Sequence, residues 1–149
     1  MKKTFLIVFV LFLFSSCKSS AQFGYTPYQT VNNLKVSTKW GKAKDEDGIR
    51  KQAILLAFDN KNDYAVEYSF EILLYYEGIL RENGTMEDFC LNGLKSNMGK
   101  LNGIYFIPKN FTEEQLKSSD FKFEINMLEV EQIDSCDDIP AEEEQQSDD

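Results

Sequence analysis

Residues 64–77, YAVEYSFEILLYYE, alternate large apolar side chains with smaller or charged ones along their whole length. An alternation of period two is typical of a β-strand, because successive side chains point to opposite faces of a sheet. One face would carry Tyr64, Val66, Tyr68, Phe70, Ile72, Leu74 and Tyr76. The other face begins with Ala65 and Glu67 and becomes apolar at Leu73 and Tyr75. This pattern predicts a strand that is central to one sheet, with its later half covered on both faces.

Shorter segments of the same kind lie on both sides of this strand. Residues 34–40 alternate, residues 52–58 form a short apolar run, and residues 103–108 and 121–133 are further candidates for strands. In the last of these the apolar set changes phase after Met127, which predicts a bulge or bend. Thr112-Glu113-Glu114-Gln115 has the spacing of a capping box and predicts one or two helical turns.

The connections between these segments are rich in turn-forming residues. Asp47-Gly48 ends one polar connection, and residues 59–63 contain only Asp, Asn and Lys. Asn83-Gly84 is the strongest hairpin signal, so we predict that residues 79–82 lead into a turn there and that residues 85–91 return. Neither acidic turn has the ligand spacing of a calcium loop, and we predict no metal site.

The run Tyr76-Glu77-Gly78-Ile79-Leu80 resembles a strand ending seen in FxLYD-type and related immunoglobulin-like domains of bacterial surface proteins. The resemblance implies the fold and brings no catalytic residues with it. Together with the alternation, it leads us to predict an all-β fold. The architecture would be an immunoglobulin-like antiparallel sandwich of about seven strands with one short helical turn. A small open β-barrel is the alternative, because short strands with regular turns fit both architectures.

The chain starts with MKKTFLIVFVLFLFSSC, in which Lys2 and Lys3 precede an apolar run that ends at Phe14. Ser15-Ser16-Cys17 resembles the lipobox of bacterial lipoproteins, although Phe14 stands where leucine is usual. The resemblance implies cleavage before Cys17 and two or three acyl chains on that residue, enough for stable anchoring. The alternatives are an uncleaved anchor, for which a run of about ten residues is short, and a secretory signal that leaves Cys17 as a thiol.

We therefore predict four parts: a signal peptide at 1–16, the lipidated cysteine and a tether at 17–32, a β-sandwich domain at 33–136, and a disordered acidic tail at 137–149. The resemblance places the protein in the bacterial cell envelope, lipid-anchored at the outer membrane, because Lys18 rather than aspartate follows the cysteine. In the tether, Phe23, Tyr25 and Tyr28 are expected to pack on the domain; the alternative is that they contact lipid headgroups or a partner near the membrane.

Two cysteines remain, Cys90 and Cys136. In an exported protein an even number of thiols favours a structural disulfide, and two free thiols are the alternative. The chain has no histidine, which excludes Ser-His-Asp and Cys-His catalysis and zinc sites that use histidine. It also has no glycine-rich phosphate loop. We predict that the protein is not an enzyme and uses no cofactor.

The predicted function is that of a non-catalytic, membrane-anchored binding or assembly module at the envelope. Its partners would be membrane lipid through Cys17 and an envelope protein or glycan. Tyr75 and the only tryptophan, Trp40, are candidate binding residues, and core packing is the alternative for Trp40. No basic stripe supports nucleic acid as a partner. The alternative function is an acidic inhibitor of a basic hydrolase such as lysozyme, since the chain carries a net charge of -9.

Overall fold

The structure is a computed structural model that describes residues 24–99 and 104–138. These residues form eight strands and one short α-helix. The elements in chain order are β1 Thr26–Val31, β2 Leu34–Lys44, β3 Arg50–Asn60, β4 Ala65–Tyr76, β5 Ile79–Leu91, β6 Ser96–Met98, β7 Tyr105–Phe106, α1 Glu113–Lys117 and β8 Phe121–Ile133, followed by a 3-10 turn at Cys136–Asp138. None of the helices in this part of the chain is long and apolar enough to cross a membrane.

The strands form two antiparallel sheets. Sheet A has the order β1-β2-β3-β6, with β7 also paired to β3, and sheet B has the order β5-β4-β8. In an immunoglobulin-like sandwich strand B lies between A and E, and strand C pairs with F. Here β3 lies between β2 and β6, as strand B does between A and E. Strand β4 pairs with β8, as strand C does with F. The predicted all-β sandwich is confirmed over the barrel alternative. Within residues 24–99 and 104–138, no strand takes the place of strand G beside β8.

The core lies between β3 and β4. The predicted inner face of β4 is confirmed, since five of its residues are at most 1% exposed: Val66, Tyr68, Phe70, Ile72 and Leu74. From sheet A, the ring of Phe58 packs against them, with its centroid 4.6 Å from that of Tyr68 and 5.0 Å from that of Phe70. The prediction that the later half of β4 is covered on both faces is wrong, because Leu73 and Tyr75 are only half-buried on the outer side.

The hairpin between β4 and β5 turns at Glu77-Gly78, where φ is 51° and 76°. Two consecutive positive φ angles are the mark of a type I′ turn, whose twist matches that of the flanking strands. The predicted turn at Asn83-Gly84 is wrong, because these residues lie inside β5 and pair with Leu73 and Ile72 of β4. Tyr76-Glu77-Gly78-Ile79 therefore forms the turn itself.

Gly84 allows close packing between the two sheets and does not form a turn. A Cβ atom on this residue would lie 2.5 Å from Cε2 of Phe106, which comes from sheet A. The ring of Phe106 thus lies directly on the backbone of β5. The glycine is there because two sheets approach each other closely, and this requirement has no local signal in the sequence.

Two local predictions near β8 are confirmed. Met127 pairs with Phe70 and Glu129 pairs with Ser69, so Leu128 is the extra residue of a bulge. At α1, the side chain of Thr112 accepts a hydrogen bond from the backbone N–H of Gln115. The Gln115 side chain accepts one from the backbone N–H of Thr112 in return, which completes the capping box.

The ordered sheet begins early in the chain. Strand β1 lies within residues 17–32, which the sequence predicts to be a tether, and it pairs with β2. Tyr25 is 8% exposed and packs on the outer face of sheet A against Ala53, Leu55 and Ala57. The expectation that Tyr25 packs on the domain is confirmed. Phe23, Cys17, the signal peptide and the tail beyond residue 138 lie outside the described residues.

The connection from β3 to β4 holds two buried asparagines. Asn60 is fully buried and Asn62 is 6% exposed. The Asn62 side chain donates to the backbone carbonyl of Asn32 at 2.9 Å and accepts from the Asn33 side chain at 3.1 Å. Asn32 and Asn33 form the turn between β1 and β2, with φ of 48° and 61°. Residues 59–63 are therefore a polar junction inside the fold as well as a turn.

Candidate functional site

The predicted disulfide is present between Cys90 and Cys136, whose Cα atoms are 5.6 Å apart. Cys90 lies near the end of β5 and Cys136 follows β8. These two strands flank β4, so the bond ties together the two outer strands of sheet B at one end. A disulfide-bonded cysteine has no free thiol, which leaves neither residue as a nucleophile.

The free edge of β8 is capped by side chains from β1 and from the turn after it. The backbone N–H of Ile125 donates to Oη of Tyr28 at 3.1 Å, and the side-chain amide of Gln29 donates to the carbonyl of Ile125 at 3.0 Å. Farther along, the Asn32 side chain donates to the carbonyl of Val130 at 3.4 Å. These bonds satisfy backbone groups that a further strand would otherwise pair with, and they hold β1 of sheet A against the edge of sheet B.

Five aromatic rings line the open side of the sandwich that this edge creates. We call them the aromatic strip: Tyr28, Trp40, Phe111, Phe121 and Phe123. Tyr28 stacks on Phe123 with centroids 5.9 Å apart. Trp40 lies 6.3 Å from Phe123, edge to face, and 5.7 Å from Phe121. Phe111 continues the strip, 5.2 Å from Phe121 and edge to face with it. Each ring is thus held by a neighbour, so the strip is preorganised.

Two members of the strip reach the surface. Tyr28 and Trp40 are each 38% exposed and both contact Phe123. Trp40 is on the inner side of β2, as the alternation of residues 34–40 predicts, but only part of it is covered by sheet B. A crevice of about 160 Å³ opens beside Trp40 and Phe123, with Thr38 and Ile54 in its wall.

A larger open pocket of about 680 Å³ adjoins the strip at the end of the sandwich and shares Phe111 with it. Its apolar side comes from residues 105–108, and its charged side comes from the turn between β2 and β3. In that turn, Asp45 is 2.8 Å from the ammonium group of Lys51. The hydrogen bond from Lys51 lowers the pKa of Asp45, so this carboxylate stays charged and already has its partner.

The second candidate binding residue, Tyr75, lies elsewhere. It is on the outer face of sheet B, where its Oη is 3.4 Å from a carboxylate oxygen of Glu124. Desolvation first, and then the negative charge of Glu124, raises the pKa of the Tyr75 phenol. The structure does not bring Tyr75 and Trp40 together, because they lie on different sheets and Trp40 is on an inner side.

Three carboxylates cluster on the outer face of sheet B. We call Glu67, Glu129 and Glu131 the acidic face. Glu67 pairs with Glu131 across the strands, and Ser69 pairs with Glu129. The charge of Glu131 is the main cause of a raised pKa at Glu129, and Glu67 adds to it. A cationic partner would therefore reduce the electrostatic repulsion among these three carboxylates.

The described residues offer ring faces and charges rather than reactive groups. They contain no group of three His, Cys, Asp or Glu side chains arranged to hold a metal ion. No protein family, curated protein or solved structure matches the chain. The site residues that the sequence did not indicate are Tyr28 as an edge cap and Phe111, Phe121 and Phe123 as a continuous strip. Tyr28 and Trp40 make contacts with segments about 80 to 100 residues away, whereas Phe111 lies only ten residues before Phe121.

Proposed function

We propose that the protein is a non-catalytic binding module of the bacterial cell envelope, anchored by lipid on Cys17, that binds a glycan on the aromatic strip. The observation that carries this proposal is the pair of partly exposed rings, Tyr28 and Trp40, which are both held in contact with Phe123. The lipobox-like residues before Cys17 support the anchor.

A glycan suits this surface for a physical reason. One face of a pyranose ring presents C–H groups, which pack on the π face of an aromatic ring while the hydroxyl groups stay outside. The rings of the aromatic strip are already held by each other, so little side-chain freedom is lost on binding. Beside the strip lie the charged groups of the turn between β2 and β3. Its carboxylates can accept hydrogen bonds from sugar hydroxyls, and its ammonium groups can donate hydrogen bonds to them.

Replacing Trp40 by alanine should weaken binding of soluble peptidoglycan or lipopolysaccharide-derived saccharides by roughly 30-fold, as expected for the loss of about 2 kcal/mol at a central ring. Because Trp40 is the only tryptophan, a shift in the intrinsic fluorescence of the unmodified protein measures the binding directly. Calorimetry then compares the wild-type protein with Trp40→Ala, which has no fluorophore of this kind.

The matched control is Tyr75→Ala, which removes an aromatic ring from the other sheet. Its saccharide affinity should equal that of the wild-type protein. Trp40→Phe, which keeps a ring against Phe121 and Phe123, should bind at an intermediate level and unfold at nearly the wild-type temperature. Equal affinity of the wild-type protein and Trp40→Ala, or no saccharide binding by either, would overturn the proposal.

A second candidate function is inhibition of a basic hydrolase such as lysozyme, and the acidic face favours it. A cationic enzyme surface would neutralise the mutual repulsion of Glu67, Glu129 and Glu131. Contacts between many exposed charges are screened by salt, so such inhibition would be strong only at low ionic strength.

For this function, Glu129→Gln/Glu131→Gln should raise the inhibition constant for lysozyme by about tenfold in low salt. The matched control is Glu113→Gln/Glu114→Gln, which removes two charges from α1 instead. The readout is hydrolysis of cell-wall substrate at about 20 mM and about 300 mM salt. Lysozyme activity that does not change with excess wild-type protein at the lower salt concentration would rule the function out.

A further inference from the structure

The charges of the domain are divided between its two sheets. The strands of sheet A carry four lysines on β2, with Arg50 and Lys51 on β3, against the single acid Asp59. The strands of sheet B carry two acids on β4, three on β5 and three on β8, against Arg81 and Lys122. The strands of sheet A are therefore net positive and those of sheet B net negative. A domain of this kind orients itself in an electric field.

On sheet A the positive charge outside the hairpin tip lies along β2. Lys51 at the tip is held by Asp45, and Glu46 and Asp47 lie in the same turn. Lys35 and Lys39 are four residues apart, so they share the outer face of the sheet. Asp59 pairs with Lys35 across the strands and lies on the same face, where it forms an ion pair with Lys61. We call Lys35 and Lys39, together with Tyr25, the basic face. Lys39 is exposed and its ammonium group lies 5.8 Å from the centroid of the Tyr25 ring.

The chain enters the domain at the basic face. Gly24 is the first described residue, and Tyr25 directly after it packs on this face. Residues 18–23 are all that separates Cys17 from Gly24. Even a fully extended chain of that length reaches only roughly 25 Å. A lipid on Cys17 would thus keep the basic face within a short distance of the bilayer, while sheet B would lie on the far side of the sandwich.

We propose that the basic face docks on an anionic lipid surface. The proposal rests on the lipid anchor at Cys17 within the proposed function, and it adds the orientation of the domain. Lysines close to an anionic bilayer are attracted to it. Tyr25 is buried on sheet A, and its ring lies near the Lys39 ammonium group. The acidic face is repelled from the same bilayer. Docking through sheet A directs the acidic face away from the membrane and leaves the side opening at Trp40 accessible.

The test is lysine footprinting of the full-length lipidated protein in vesicles. The protein is reconstituted into phosphatidylcholine vesicles with and without about 30% phosphatidylglycerol, treated briefly with an acetylating reagent, and analysed by mass spectrometry. Lys35 and Lys39 should be acetylated at least about threefold more slowly in the anionic vesicles, and about 0.5 M salt should remove the difference. Lys117 and Lys122, on α1 and β8, are internal controls whose rates should not change.

Charge variants test the same face without the anchor. In protein whose intact mass shows no lipid on Cys17, co-sedimentation with anionic vesicles should be about 25-fold weaker for Lys35→Gln/Lys39→Gln, at about fivefold for each lysine. The control Lys117→Gln/Lys122→Gln should sediment like the wild-type protein. Binding by unlipidated protein would support the docking surface even if the lipid anchor at Cys17 is absent, so the two failures can be told apart.

Two results would overturn the inference. One is equal acetylation of Lys35 and Lys39 in neutral and anionic vesicles. The other is equal protection of these lysines by a soluble polyanion such as heparin at the same charge concentration, which would make the face a general polyanion site rather than a lipid surface.

Discussion

Replacing Asn60 by leucine should lower the free energy of unfolding by about 4 kcal/mol, the largest effect that we expect from a single substitution. Asn60 is fully buried. Its Nδ2 donates to the carbonyls of Tyr64 at 2.8 Å and Leu91 at 3.1 Å, with the carbonyl of Asn92 at 3.3 Å sharing one of its two protons. Its Oδ1 accepts from the backbone N–H of Asn62 at 3.0 Å.

The cost is large because every partner of Asn60 is a backbone group. Leucine has nearly the same size but makes none of these bonds, so the carbonyls of Tyr64 and Leu91 lose their donor inside the protein. A buried polar group without a partner costs about 1–3 kcal/mol. The side chain also joins the turn after β3 to the end of β5, and its loss loosens two elements together.

The substitution Asn60→Asp tests the effect of a negative charge at this position, because aspartate has nearly the same shape as asparagine. An ionised carboxylate would face the carbonyls of Tyr64 and Leu91, so we expect the pKa of this aspartate to be raised in the folded state. A raised folded pKa means that the folded state binds its proton more tightly, so stability falls as the pH rises through that pKa. The deficit relative to the wild-type protein should therefore be smaller at about pH 4 than at about pH 7.

Chemical denaturation at both pH values measures these effects, with Asn126→Leu as the matched control. Asn126 is an exposed asparagine on β8, and its replacement should change stability by less than about 0.5 kcal/mol. If a variant does not fold, native-state hydrogen exchange of the conservative change Asn60→Gln gives the same comparison. An Asn60→Leu protein as stable as Asn126→Leu would show that the junction is dispensable.

The sandwich could be predicted from the sequence because its central strand is encoded locally. The alternation of residues 64–77 alone identifies the buried face of β4. The turn at Glu77-Gly78 could not be chosen over Asn83-Gly84 in the same way, since asparagine suits the first position of a type I′ turn better than glutamate does. In the folded protein the ring of Phe106 occupies the space above Gly84, a contact between the two sheets that the local sequence does not indicate. The buried role of Asn60 was equally hidden, because its acceptor Leu91 lies 31 residues away.

The candidate site was predictable only in part. The sequence identifies Trp40 as an inner residue of β2, but its exposure depends on how far sheet B extends over it. In the described residues no strand lies beyond β8, so the rings of Trp40 and Tyr28 remain partly open. The pairing of Tyr28 with Ile125 spans 97 residues. Contacts at such separations follow from the fold and leave no local pattern.

Breaking the disulfide should lower stability by up to about 4 kcal/mol. The two cysteines are 46 residues apart, and closing a loop of this length removes roughly that much conformational free energy from the unfolded chain. Reduction of the wild-type protein, or the double change Cys90→Ala/Cys136→Ala, should lower the thermal midpoint by up to roughly 15 °C. Thermal unfolding followed by circular dichroism measures this change.

The control is the Cys90→Ala/Cys136→Ala protein treated with the same reductant. Its thermal midpoint should not change, because it has no disulfide to reduce. The position in sheet B at which hydrogen exchange first increases gives a second readout. Cys136 also donates its backbone N–H to Oδ1 of Asn92 at 3.4 Å, so the loss of the bond frees the end of β8 where Ile133 pairs with Ala65. Hydrogen exchange should rise there before it rises at the turn of Glu77 and Gly78, which lies at the opposite end of sheet B. Equal midpoints for oxidised and reduced protein would mean that hydrogen bonding and packing hold this end of the sheet without the bond.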